Sequence, residues 1–296
     1  MSPELPEGWA VAFDHQAMAA CSDRALVLTS LDIPHQLLHT AGHCYLVVPA
    51  EFEERAKFEL WAYEKENVPV KVPEPRIKPV HQDGLPGIIF YIGTIGLFAW
   101  LTSESLFGRD WLAAGRIDGQ RFRDGEIWRT FTALTLHLDL RHLVGNMGFG
   151  AFFGYFAGRL LGSGAAWLTI IVAAAIANGA NTLLLDASHR SIGASTAVFA
   201  ALGLLAGFVW HGRLMAQDRW PYRLGPIVGG IALLAFTGTG TENTDIGAHL
   251  MGFVCGLAAG VFMVRYAPRL PDGRLQSMCG GIALALIFGS WMIALL

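Results

Sequence analysis

The 296-residue sequence predicts an all-α polytopic membrane protein with a small soluble α+β domain ahead of its membrane part. Three observations carry that expectation. Charged residues make up only 15% of the chain and hydrophobic ones 53%, whereas a soluble domain has about 25% charged residues. The charge is segregated: the acid-rich run "EFEERAKFELWAYEKEN" lies early, and after Leu85 long uncharged stretches alternate with short polar connectors. Those stretches also have the length of membrane helices, which need about 20 apolar residues.

Seven stretches contain no Asp, Glu, Lys or Arg: Gly84–Ser103, His142–Gly158, Leu160–Leu185, Ser191–Gly212, Leu224–Thr241, Ile246–Val264 and Leu275–Leu296. Seven spans are therefore expected. Lys and Arg mark the cytoplasmic side. With the N-terminus inside, the inner connectors hold Lys71, Arg76 and Lys78, then Arg159, then Arg213, Arg219 and Arg223, then Arg265, Arg269 and Arg274. The outer connectors "DASHRSI" and "GTGTENTD" hold only Arg190. The long first loop, Glu104–Arg141, breaks the rule with six arginines, but Asp110, Asp118, Asp124, Glu126 and Asp139 roughly balance them. It reads as a structured element.

The N-terminus lacks the basic flank and apolar core of a secretory signal and is too acidic for a mitochondrial transit peptide, so a bacterial inner (plasma) membrane is expected. Cys21, Cys44, Cys255 and Cys279 have neither disulfide nor zinc spacing. In the soluble part, residues 17–33 read as a helix stopped by Pro34, "HQLLHT" and "CYLVVPA" as a hairpin around "AG", and Phe52, Ala56, Leu60 and Tyr63 as one helical face. The domain is placed at 1–68, followed by a Pro-rich linker at 69–83. Nothing in this domain suggests chemistry, and a partner-binding or regulatory role is expected, the partner unknown.

Polar groups inside the spans are more informative, because a membrane makes them costly. His142 and Asn146 are one helical turn apart and share a face. Ser195 opens the fourth span, and His249 lies about one turn into the sixth. Each alone reads as helix packing or an interhelical hydrogen bond. The surroundings add weight. His249, Gly252, Gly256 and Gly260 form one stripe, and Ser195, Phe199 and Gly203 form another. Packing along small-residue stripes would bring Ser195 and His249 to one depth, a nucleophile beside a base.

"WRTFTALTLHLD", "HLVGN", "GAST" opening a helix and "GAHLMGFVCG" two spans later resemble, in order and spacing, the rhomboid family of intramembrane serine proteases. The resemblance covers roughly residues 86–265. It implies a six-helix catalytic core at 84–266 with an additional C-terminal span at 275–296. It also implies Ser195 as nucleophile, His249 as base, and His142 and Asn146 as oxyanion donors. Phe199 matches an aromatic position that packs on the imidazole. Gly193, Gly252 and Gly256 are supporting positions, Trp128 and Arg129 belong to the loop scaffold, and His137 is a structural histidine. The family usually has Gly after the serine; Thr196 is bulkier and is expected to narrow the substrate side or alter a helix contact. Asp245 is expected to cap the helix of His249, the alternative being that it orients the imidazole.

The implied activity is a serine-type endopeptidase that cuts transmembrane protein substrates near the outer face. It needs the lipid bilayer but no metal, cofactor or nucleic acid. A catalytically silent client-binding relative is the alternative, yet such relatives usually lack the serine or the histidine. A transporter using the His/Asn groups is a further alternative, but the chain has no internal repeat and no acid inside a span.

Overall fold

The computed structural model describes residues 5–40, 42–67, 82–214, 220–237 and 245–296. The chain divides into two compact units, Met1–Lys71 and Val72–Leu296. The proline-rich segment expected as a linker lies almost entirely outside the described residues.

The first unit runs β1 (Trp9–His15), α1 (Met18–Ser30), β2 (Gln36–Thr40), β3 (His43–Pro49) and α2 (Glu53–Glu66). The expected hairpin is β2–β3, antiparallel, and β1 adds to the other edge of β3 in the order β1-β3-β2. Sequence reading missed β1. Its place explains the unbroken apolar run of β3, since a central strand is buried on more than one side: Cys44, Leu46, Val47 and Val48 are all buried. Leu46 and Val48 meet Ala25 and Leu28 of α1 and Ala56 and Leu60 of α2 in one core.

Among the described residues of the second unit, seven helices have 18 or more residues. They are α3 (Leu85–Ser103), α7 (Leu140–Leu161), α8 (Ser163–Leu184), α9 (Ser195–Gly212), α10 (Trp220–Thr237), α11 (Ile246–Met263) and α12 (Gly273–Leu295). Between α3 and α7 the long loop folds into short helices α4 (Trp111–Gly115), α5 (Gly119–Arg123) and α6 (Arg129–Thr132). A two-residue strand, β4 (Ile117–Asp118), pairs with β5 (Arg190–Ser191). Five of the long helices are long and apolar enough to cross a membrane by themselves: α3, α8, α9, α12 and the segment Ile246–Arg269 that contains α11. α7 carries Arg141 and Arg159 near its ends.

Two boundaries differ from expectation. The fourth span does not begin at Ser191: residues 190–191 are strand, Gly193 turns the chain at φ 132°, and the helix starts at Ser195. The second span starts earlier, at Leu140, because Asp139 caps it by accepting from the His142 N–H at 2.7 Å.

Lipid gives no hydrophobic drive for one apolar helix to prefer another, so close packing must hold the bundle together. The most extensive contact is the α9–α11 seam. A Cβ at Gly252, Gly256 or Gly260 would run into the backbone carbonyls of Thr196, Ala200 and Leu204 in turn. Reciprocally, a Cβ at Gly203 or Gly207 would strike the backbone of Phe253 or Leu257. The matching order of the two series makes the helices parallel. Of the two effects expected of Thr196, the helix contact is the one seen: it is buried in this seam, its Cγ2 3.3 Å from where a Gly252 Cβ would stand.

The seventh long helix is anchored to the core at both ends. Gln276 donates to the Leu161 and Leu270 carbonyls, both at 2.8 Å, and accepts from the Ala165 N–H at 3.0 Å. At the far end Trp291 donates to Thr135 Oγ1 at 3.0 Å and stacks on Phe98, ring centroids 4.8 Å apart.

Gly256→Val is expected to lower the thermal unfolding midpoint in detergent sharply, overpacking costing about 1–3 kcal/mol. Gly281→Val, where a Cβ meets nothing within 4 Å, is expected to leave the midpoint nearly unchanged.

Candidate active site

The parallel seam fixes the depth of two side chains. His249 precedes Gly252 by three residues, as Gly193 precedes Thr196, so His249 is level with the turn just before α9. Helical side chains tilt toward the N-terminus, which directs Ser195 to the same level. Both line one cleft of about 1220 Å3, together with His142, Asn146 and Phe199. The expected four polar groups are thus brought together. Phe199 packs its ring on His249, centroids 4.5 Å apart and tilted by 36°.

Gly193 is required by its backbone and by space. Its φ of 132° is rare for L side chains, and a Cβ there would stand 2.9 Å from His142 Nε2 and 3.4 Å from Ser195 Oγ. Its N–H donates to the Ala133 carbonyl at 2.9 Å, tying the turn to the long loop. Asn146 is 7% exposed and its Nδ2 has no hydrogen-bond partner among the described residues. Its backbone carbonyl accepts from Tyr91 Oη at 2.7 Å, which ties α7 to α3. A buried amide donor without an acceptor is costly, and this one belongs to a residue of the cleft wall.

Two arginines of the long loop beside the cleft are spent on backbone carbonyls. Arg129, 2% exposed, donates to the carbonyls of Ala113 and Arg116 at 3.0 and 2.8 Å and to Glu126 at 2.6 Å. Arg123 closes the C-terminal end of α8 through the carbonyls of Thr182 and Leu185. Trp128 is not among the cleft residues; it and Arg129 serve the loop. Gly252 and Gly256 serve the seam.

Asp245 caps α11, accepting from the Ala248 N–H at 2.9 Å. Sequence reading did not foresee its other partners. Asn181 Nδ2 lies 3.1 Å from both carboxylate oxygens, and His189 Nε2 lies 3.1 Å from Oδ2. Burial alone would raise the Asp245 pKa, but the contacts from His189, the Ala248 N–H and Ser191 outweigh it and bring the carboxyl to about 2. Asn181 was legible as a polar group inside a span, by the same criterion that picked out Asn146. His189 sits in a polar connector and gave no such signal.

His137 lies edge-on to His142, ring centroids 5.2 Å apart, with neither ring nitrogen hydrogen-bonded among the described residues. Burial first, and the neighbouring His142 second, depress its pKa to about 4. The neutral ring is therefore the native form. Stability from this group is complete above the unfolded value near 6.5 and is lost as pH falls toward 4. We expect unfolding in detergent to show a loss on the order of 3 kcal/mol between pH 7 and 4 that His137→Gln largely removes.

The rhomboid domain family model matches residues 124–266, a stretch that contains all four motifs but begins after α3. "Rhomboid-like protease 2" of Toxoplasma gondii is 28% identical over 144 residues, which are 48% of this chain and 49% of that protein. The chain thus spans about half the length of the curated relative it matches. Motif order, helical architecture and family model agree that residues 124–266 of this multi-pass membrane chain are a rhomboid domain.

Proposed function

We propose that the chain is an intramembrane serine endopeptidase in which Ser195 is the nucleophile and His249 the general base. The observation that carries this reading is the convergence of Ser195, His249, His142 and Asn146 on one cleft. A serine hydroxyl becomes an effective nucleophile when a neighbouring base takes its proton. His249, 7% exposed and set against Phe199, suits that role as a neutral ring.

Ser195 Oγ adds to the scissile carbonyl as its proton passes to His249, giving a tetrahedral oxyanion. The C–N bond then breaks, the amine leaves with the proton from His249, and an acyl-enzyme ester remains. Water, deprotonated by His249, hydrolyses the ester and restores the serine. Charge on the oxyanion needs donors set in advance. The unpaired Asn146 amide, the His142 ring and the Ser195 N–H at a helix start are suited to it.

The substrates are transmembrane protein segments, cut near the outer face. Six helices between residues 84 and 266 form the catalytic core, and 1–68 form a cytoplasmic domain that binds an unidentified partner. The membrane is a bacterial inner membrane, and the distribution of Lys and Arg supports an N-terminus in the cytoplasm. No metal or cofactor enters the chemistry.

The test is cleavage of a transmembrane reporter by the purified full chain in detergent. Ser195→Ala and His249→Ala are expected to abolish it, and Asn146→Ala to lower kcat by about 10²–10³. Cleavage that survives Ser195→Ala would sink the assignment. Gly193→Ala is expected to be as damaging as loss of a donor, because its methyl enters the space between Ser195 and His142.

A further inference from the structure

We infer that Asn181, Asp245 and His189 form a polar clasp whose task is to position His249, an inference that rests on the reading of Ser195 and His249 given above. The three residues come from separate segments: Asn181 from the last turn of α8, His189 from the connector to β5, and Asp245 from the start of α11. They meet at the Asp245 carboxylate: Asn181 Nδ2 donates to both oxygens at 3.1 Å, and His189 Nε2 approaches Oδ2 to the same distance as an ion-pair contact outside hydrogen-bond geometry.

One acceptor suffices to cap a helix, and the Ala248 N–H already uses it. Asn181 is therefore surplus to capping. It is also 4% exposed in a helix that is mostly apolar, at a position where an aliphatic side chain would pack without needing a partner. α11 makes room for it: a Cβ on Gly247 would run into Asn181 Oδ1. Glycine in a helix costs about 1 kcal/mol relative to alanine, so the first turn of α11 gives up helix stability and gains this contact.

The gain is geometric. Asp245 accepts the His249 N–H on its own carbonyl at 3.1 Å, so whatever fixes Asp245 fixes the turn that carries His249. On the other side, the His189 carbonyl accepts from the Gly119 N–H at 3.0 Å, and Arg190 pairs with Asp118 at 2.9 Å. The chain then runs through β5 and Gly193 into Ser195. The clasp thus joins the first turn of the base's helix directly to the segment that leads into the nucleophile. Asn181, His189 and Asp245 are positioning residues, acting on the reaction through His249.

The experiment measures kcat, KM and thermal midpoint for the full chain on a transmembrane reporter. The variants are Ser195→Ala, Asn181→Asp, Asp245→Asn, the double exchange of the last two, and Gly247→Ala. Asn181→Asp sets two carboxylates against each other and is expected to lower kcat by about 10²-fold, the scale of an ångström-sized misplacement, with little change in KM. The double exchange restores an amide–carboxylate pair and is expected to recover most of kcat. Gly247→Ala alters no polar group and favours the helix, yet is expected to lower kcat by displacing Asn181. Unchanged kcat in Gly247→Ala, failure of the double exchange to rescue, or losses of kcat that only follow the thermal midpoint would overturn the clasp. Equal activity of wild type and Ser195→Ala would instead overturn the reading of the site, and the clasp with it.

Discussion

Two helices whose backbones touch set the geometry of this protein. Along α9 and α11, glycine on one helix meets main chain on the other for three successive turns, and the reciprocal glycines of α9 do the same. In lipid this close approach replaces the hydrophobic drive that would hold two helices together in water. Because the backbones are in contact, the helices have little freedom to slide or rotate, and Ser195 and His249 inherit that precision. A seam built on large side chains would hold the helices together and still leave the depth of each terminal residue loosely set.

The polar parts of the molecule extend the same constraint outward. The seam fixes α9 against α11 along their length but leaves their first turns, where helices fray, to be held by other contacts. There the β4–β5 pair, the Gly193–Ala133 hydrogen bond and the Asp245 cluster tie both helix starts to the long loop and to α8. The arginines of that loop looked anomalous for an outer segment. Arg123 and Arg129 turn out to be internal fasteners for carbonyls that the short helices leave without partners. Positional charge rules treat every arginine as solvated, and Arg129, buried beneath the loop's own carbonyls, is not.

α12 belongs to the same bundle. Its two hydrogen-bonded anchors, Gln276 at the start and Trp291 near the end, hold it to α8 and to the underside of the long loop. It therefore contributes to the scaffold of the long loop, through Thr135 and the aromatic cluster of Phe98, Trp111 and Trp291.

The sequence by itself determined the membrane class, the long helices, the hairpin of the first unit and the residues that gather at the cleft. Each of these is written in local composition or in a periodicity of one helix. The stripe of Gly252, Gly256 and Gly260 announced a close neighbour, and Ser195 with Phe199 announced which face would meet it. The tertiary structure decided what depends on a partner distant in sequence. β1 could be recognised only through its pairing with β3, and the start of α9 only through β5 pairing with β4. Thr196 read as acting on either the substrate side or a helix contact, and the seam decided for the contact. Asp245 read as a cap, which it is, but its links to Asn181 and His189 join residues more than 50 positions apart. Helical periodicity reports which residues share a face, and only the packed bundle determines what that face meets.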